Sequence, residues 1–63
     1  MKNKAEALRA KVEKLVLKGI QLGDYSYITE AMMLCDDESG VWMCEDDDFV
    51  MINDDVYYFN GAF

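Results

Sequence analysis

The chain has 63 residues, a formal net charge of −7 and 52% hydrophobic residues. A chain this short forms one domain, taken here as residues 1–63, and it buries only about 60% of the surface that it exposes when unfolded. Its hydrophobic fraction is too high for intrinsic disorder, so we expect a folded domain with a small core. The acidic balance argues against direct binding to nucleic acid or to an anionic membrane, because both repel carboxylates.

The chain shows no signal for insertion into a membrane or for export. No apolar run approaches the length that spans a bilayer, and the N-terminal residues lack the apolar core and cleavage pattern of a signal peptide. We therefore expect a cytoplasmic protein. In that reducing compartment Cys35 and Cys44 are expected to remain free thiols.

The N-terminal part predicts one amphipathic helix over about residues 3–22. Good helix formers dominate it, and Gly23 followed by Asp24 is a typical C-terminal stop. Gly19 lies on the apolar stripe of this helix, and a close approach by the sheet would explain a glycine there. The stripe follows spacings of three and four, as a helix face requires, through Ala5, Leu8, Val12, Leu15, Val16, Gly19 and Leu22.

One flank of the predicted helix is basic. Lysines project from it at Lys4, Lys11, Lys14 and Lys18. One interpretation is a strip that binds phosphate or lipid. The plainer interpretation, which we favour, is a solvated face that offsets the acidic half of the same molecule.

Residues 25–60 predict an antiparallel sheet of three to four strands. Residues 25–35 fit a helix by their apolar spacing or a strand by their β-branched and aromatic residues, and we favour a strand because of the turn signal that follows. The segment 37–40 then predicts a three-residue hairpin loop, a type I turn closed by a glycine bulge. In that register Asp37 faces Val41 and Cys35 faces Met43. Further strands are predicted over 41–45, 49–53 and 56–60, joined by short acidic turns at 46–48 and 54–55.

Together these elements predict the α+β class, with an N-terminal amphipathic helix packed on a small antiparallel β-meander. Segments 49–52 and 56–59 are apolar at consecutive positions, so both faces of the sheet carry apolar side chains. One helix can cover only one face. The other face is therefore expected to expose aromatic side chains such as Trp42, Tyr57 and Tyr58, which a homodimer or a partner would bury.

Acidic residues concentrate at the predicted turns. From Asp24 to the last residue there are eleven Asp and Glu and no Lys or Arg. Turns favour Asp and solubility needs charge, but eleven acids without a base among forty residues exceed that need. Nine of them form three clusters, namely Asp36, Asp37 and Glu38, then Glu45, Asp46, Asp47 and Asp48, then Asp54 and Asp55.

The sequence offers little for catalysis or metal binding. It has no His, the commonest general acid or base, and no glycine-rich phosphate loop. Carboxylates could bind calcium, but an EF-hand loop starting at Asp46 would need Gly at its sixth position, where Met51 stands. We expect neither an enzyme nor a cofactor or specific metal site.

The acidic clusters, with Trp42, Tyr57 and Tyr58, predict a protein-binding surface. Carboxylates two apart on a strand are separated by roughly 6.7 Å, which is on the scale of successive backbone phosphates. In size and charge the chain resembles the small acidic inhibitors of phages and mobile elements, which occupy the nucleic-acid sites of host defence or transcription proteins. The resemblance implies a DNA mimic with a basic, nucleic-acid-binding protein as partner. The alternative is a structural or regulatory module that homodimerises or docks through an aromatic sheet face.

Overall fold

The computed structural model describes residues 4–63, apart from the side chain of Asp37. The predicted α+β class is confirmed, because a long N-terminal helix packs with a small antiparallel sheet. The predicted helix start at residue 3 lies outside the described residues. In chain order the elements are α1 (Lys4–Leu22), α2 (Tyr25–Leu34), a 3₁₀ turn (Asp37–Ser39), β1 (Met43–Glu45), β2 (Phe49–Ile52) and β3 (Asp55–Tyr58).

Helix α1 ends where the sequence predicts, in a Schellman motif at Gly23. Gly23 has φ 66°, a conformation that glycine adopts without a steric penalty. Its N–H donates to the carbonyl of Ile20 at 3.3 Å, and the N–H of Asp24 donates to the carbonyl of Gly19 at 2.9 Å. These two bonds satisfy carbonyls that the helix end would otherwise leave unpaired.

The strand predicted over residues 25–35 is wrong, because this segment forms α2. Asp24 caps the new helix, and its side chain accepts a hydrogen bond from the N–H of Ser26 at 3.0 Å. Bonds from the Ser26 hydroxyl and N–H hold the pKa of Asp24 below its usual value. Ile28 and Ala31, three residues apart, are both fully buried against the rest of the core. The cap and this burial outweigh the strand propensity of the segment.

The close neighbour of Gly19 is α2, and the expected approach by the sheet is wrong. A Cβ at position 19 would lie 3.0 Å from the carbonyl oxygen of Asp24, 3.0 Å from the Cβ of Tyr27 and 3.3 Å from the Cδ1 of Ile28. Only glycine therefore lets the two helices approach this closely at the point where the chain reverses.

The hairpin predicted around 37–40 is also wrong in register. Asp36, and not Asp37, pairs with Val41 in an isolated bridge, and Cys35 lies at the end of α2 outside the sheet. The reason is that Asp37–Ser39 forms a 3₁₀ turn, so the connection between the two paired residues contains four residues and not the predicted three. Gly40 has φ 79°, so its predicted left-handed conformation is confirmed.

The three remaining strands form a sheet in the order β1-β2-β3, with both neighbours antiparallel. The predicted strand 41–45 is shortened to β1, and β3 begins at Asp55, one residue before its predicted start. Asp55 therefore belongs to a strand and not to a turn. The connection between β2 and β3 contains only Asn53 and Asp54, and Asn53 has φ 53°.

Both helices cover the same face of the sheet, which we call the inner face. Alternate residues of β2, Val50 and Ile52, are fully buried in one cluster with residues of α1 and α2. The other members of this cluster are Val12, Val16, Ile28, Ala31, Val41 and Phe59. The core thus lies between the helix pair and one side of the sheet.

We expect Gly19→Ala to destabilise the protein despite the better helix propensity of alanine. The gain in propensity is about 1 kcal/mol, whereas overpacking costs about 1–3 kcal/mol where neighbours cannot yield. Here two neighbours are a backbone oxygen and a Cβ. A net loss of about 1 kcal/mol would lower Tm by about 4–8 °C, measured by thermal denaturation.

Gln21→Ala serves as the control, since Gln21 is exposed on the same helix. It should change the free energy of unfolding by no more than about 0.5 kcal/mol. A Gly19→Ala variant as stable as the parent would contradict the close helix contact.

Candidate partner-binding surface

The face of the sheet opposite the helices, which we call the outer face, is apolar and partly exposed. Phe49 and Met51 alternate with the buried residues of β2 and are only half-buried. The strand register places Cys44 and Val56 beside Met51, and Tyr58 beside Phe49. Val56 is 42% exposed and Tyr58 is 61% exposed. These five residues carry no charge and form an apolar surface.

The rings of Phe49 and Tyr58 support this assignment of faces. Their centroids lie 5.7 Å apart at an interplanar angle of 64°, an edge-to-face contact between neighbouring strands. Trp42 lies just before β1, where its backbone N–H donates to the side-chain oxygen of Asn53 at 3.0 Å. Trp42 is 43% exposed. The predicted exposure of Trp42 and Tyr58 is confirmed.

The expected exposure of Tyr57 on an uncovered face is wrong, because Tyr57 lies on the inner face. It pairs with Val50 and packs against the core. Its hydroxyl donates to the carboxylate of Glu13 at 2.9 Å, and Arg9 donates to the Tyr57 hydroxyl at 3.4 Å. Burial is the main cause that raises the pKa of Tyr57, and the hydrogen bond to Glu13 adds to it.

Asp55 also faces α1. Its carboxylate forms an ion pair with Arg9, which also contacts Glu13 at 3.4 Å. An exposed pair of this kind contributes at most about 1 kcal/mol. Asp55 and Tyr57, two residues of the predicted binding surface, thus contact α1 within the molecule.

The remaining carboxylates lie at opposite ends of the sheet. One group, which we call the acidic loop, contains Glu45 at the end of β1 and the three residues that follow it, Asp46, Asp47 and Asp48, all exposed. The second acidic group, Asp36, Glu38 and Asp54, is also exposed. The bridge from Asp36 to Val41, and a 3.4 Å bond from the Asn53 side chain to the Gly40 carbonyl, place this group at the other end. The two acidic groups are separated by the length of β2, whose four residues span roughly 13 Å.

Hydrogen bonds hold the backbone of the acidic loop. The N–H of Asp46 donates to the carbonyl of Phe49 at 2.8 Å, and the N–H of Phe59 donates to the carbonyl of Asp48 at 2.9 Å. The side chain of Asp46 accepts from the N–H of Asp47 at 2.7 Å. The loop is therefore tied to the sheet and to the segment after β3.

A hollow of about 660 Å³ lies beside the acidic loop. Aromatic residues from distant parts of the chain line it together with the loop, namely Tyr25, Tyr58, Phe59 and Phe63. The sequence prediction did not include Tyr25 or Phe63. Phe63 follows a run of aromatic residues, which was its only signal, and no pattern in the sequence indicated that Tyr25 would lie beside it.

The structure offers no metal site or membrane span in the part that it describes. Among the described side chains, which exclude that of Asp37, no group of three or more Cys, Asp or Glu is arranged to hold a metal ion. None of the described helices is both long and apolar enough to cross a membrane. Cys35 and Cys44 are free thiols, and burial raises the pKa of the Cys35 thiol.

Comparisons with known proteins do not assign the chain to a family. No protein-family model matches it, and no curated protein or solved structure is significantly similar. The surface itself is therefore what indicates a function.

We expect Tyr57 to ionise above its usual pKa of about 10, since its pKa is raised in the fold. The folded pKa is higher than the unfolded pKa, so the contribution of neutral Tyr57 to stability is complete below about pH 10 and declines as pH rises through the folded pKa. An ultraviolet titration of native protein should show a late tyrosine step that Tyr57→Phe removes. Tyr57→Phe should also cost about 0.5–1.5 kcal/mol at neutral pH.

Tyr58→Phe is the matched control, because the same atom is removed from the exposed neighbour of Tyr57. It should leave the late step and the free energy of unfolding nearly unchanged. Persistence of the late step in Tyr57→Phe would assign it to another tyrosine.

Proposed function

We propose that this chain is a small acidic inhibitor that binds the basic nucleic-acid-binding surface of another protein and so mimics nucleic acid. It acts in the cytoplasm, as a counter-defence or host-takeover protein of the phage or mobile-element type. The observation that carries the proposal is the distribution of charge over the fold. Exposed carboxylates lie at both ends of the sheet, whereas every described Lys and Arg lies on α1, which packs against the inner face.

The carboxylates of the acidic loop remain available to a partner. The two ion pairs of Arg9 use Glu13 and Asp55, and neither uses a carboxylate of the loop. The local bonds of Asp46 and Asp48 involve backbone groups. Acids held on a fixed backbone create a negative potential that attracts a basic groove over long range.

The outer face adds short-range contact between the two acidic groups. It is apolar and partly exposed, which is the arrangement expected of a surface that a partner covers. Its acidic borders favour a basic partner over a second copy of this chain, since two copies meeting face to face would bring carboxylates together.

Neutralising the acidic loop should weaken binding while the fold survives. We expect the triple variant Asp46→Asn, Asp47→Asn, Asp48→Asn to bind the partner more weakly and with less dependence on salt. Asparagine keeps turn propensity and an acceptor for the N–H of Asp47. The partner is first retained from the source cell at low and high salt and identified by mass spectrometry, and affinity is then measured with purified proteins.

Glu30→Gln is the control, since Glu30 is an exposed acid on α2. It should bind like the parent. The parent should also displace nucleic acid from the partner and bind no DNA or RNA itself. Unchanged affinity of the triple variant would overturn the proposal, as would a complex that holds this protein and nucleic acid together.

A second candidate is a structural or regulatory module that docks, or homodimerises, through the outer face. The exposure of Val56 and Tyr58 favours it. Apolar contact of this kind is nearly independent of salt, whereas contact through carboxylates weakens steeply with salt. Salt dependence of binding and sedimentation of the free protein therefore separate the two candidates.

The outer face should determine how long the complex lasts. We expect Val56→Ser to speed dissociation roughly fivefold, because part of a buried valine contact is lost, with little effect on the association rate. Leu17→Ser is the control, since Leu17 is 49% exposed on α1 and away from the outer face. Equal dissociation rates for Val56→Ser and the parent, measured by surface plasmon resonance, would remove the outer face from the interface.

A further inference from the structure

The hollow beside the acidic loop has two kinds of wall. The acidic loop supplies Glu45, Asp46, Asp47 and Asp48, and aromatic rings are supplied by α2, by the end of β3 and by the last residues. Its volume of about 660 Å³ lies within the range of about 300–1,000 Å³ found for ligand pockets. Among the described residues that line it there is no Lys or Arg. The charge of the carboxylates is thus not compensated from within the hollow.

The aromatic wall is already assembled in the free protein. The ring of Phe63 packs edge-to-face on Tyr25, with centroids 5.2 Å apart, and on Phe59, with centroids 4.9 Å apart. Tyr58 is held in the same way by Phe49. Tyr25, Tyr58 and Phe63 nevertheless stay 39%, 61% and 47% exposed. Rings that are fixed and still accessible can contact a ligand without first being ordered.

The combination of rings and carboxylates selects the chemistry of a ligand. An anion is repelled by the acidic loop, and a neutral apolar group would strip water from carboxylates without replacing it. A cation gains from both walls, because aromatic rings attract it and carboxylates accept its hydrogen bonds. A guanidinium group is the best match, since it stacks flat on a ring while its fork of N–H groups reaches a carboxylate.

We propose that this hollow is the binding pocket for an arginine side chain of the partner. The inference rests on the proposed function, because the arginine belongs to the basic surface that the acidic protein covers. Binding of one arginine in this pocket would add a specific contact to the long-range attraction between the acidic protein and its basic partner. The hollow at the other end of the sheet is smaller, about 380 Å³, and has the single carboxylate of Asp36 in its lining.

Short peptides test the pocket without the partner. The probes are acetyl-Gly-Xaa-Gly-amide with arginine, citrulline or lysine at the central position, titrated into ¹⁵N-labelled full chain and followed by NMR. We expect the arginine peptide to shift amide signals of the acidic loop and of residues 58–63. Citrulline has nearly the same shape without the charge, so it should bind about fivefold or more weakly.

Two variants and a matched control locate the binding. Tyr58→Leu removes an exposed ring and Asp47→Asn removes an exposed charge, so each should weaken arginine-peptide binding severalfold. Glu38→Gln removes one charge from the second acidic group and should leave binding unchanged. Backbone spectra of all three variants report whether the fold is intact.

Three results would overturn the pocket. These are equal binding of the citrulline peptide, lysine-peptide binding as tight as that of arginine, and shifts spread equally over the second acidic group. If no arginine peptide binds while the triple asparagine variant still loses the partner, the pocket fails and the proposed function stands. If the peptide binds as expected while the triple variant keeps full affinity for the partner, the proposed function fails on its own.

Discussion

The contact between α1 and α2 at Gly19 determines where the other elements can lie. Gly19 lets the backbone of Asp24 and the side chain of Tyr27 approach within van der Waals distance of α1. The chain can therefore reverse over Gly23 and Asp24 and lay a second helix beside the first. Because both helices then pack on the same side, they cover one face of the sheet and leave the other face open.

Much of this fold could be predicted from the sequence, because its patterns are local. The stripe of α1 follows the helical repeat over many residues, and the turns that bound β2 are marked by acidic and asparagine residues. The class, the C-terminal end of α1 and the presence of three later strands follow from these patterns. The structure moves the limits of these three strands by at most two residues.

Residues 25–35 could not be assigned correctly from propensity, because their composition favours a strand and their context favours a helix. The cap at Asp24 and the helix formers from Glu30 to Leu34 were the available signals. What decided the outcome was burial of Ile28 and Ala31 against α1 and the sheet, which is a tertiary effect. The segment 37–40 added to the error, because its residues are typical of a hairpin loop but here follow a helix.

Only part of the predicted binding surface could be located from the sequence, because the rest depends on tertiary packing. The acidic loop and Asp54 lie at turns, so composition locates them, whereas the segment containing Tyr57 is apolar at every position and gives no indication of which side faces the helices. Its pairing with Val50 decides that question. The approach of Tyr25 to the acidic loop depends on the path of α2 and could not be anticipated from any local pattern.

The outer face also carries two sulfur-containing side chains side by side, since Cys44 pairs with Met51. Cys44 is exposed, and Met51 is half-buried on the same surface. Oxidation converts methionine to a polar sulfoxide and an accessible thiol to a sulfenic acid. The apolar character of this face therefore depends on reducing surroundings, and oxidative damage would make it polar while leaving the core between helices and sheet untouched.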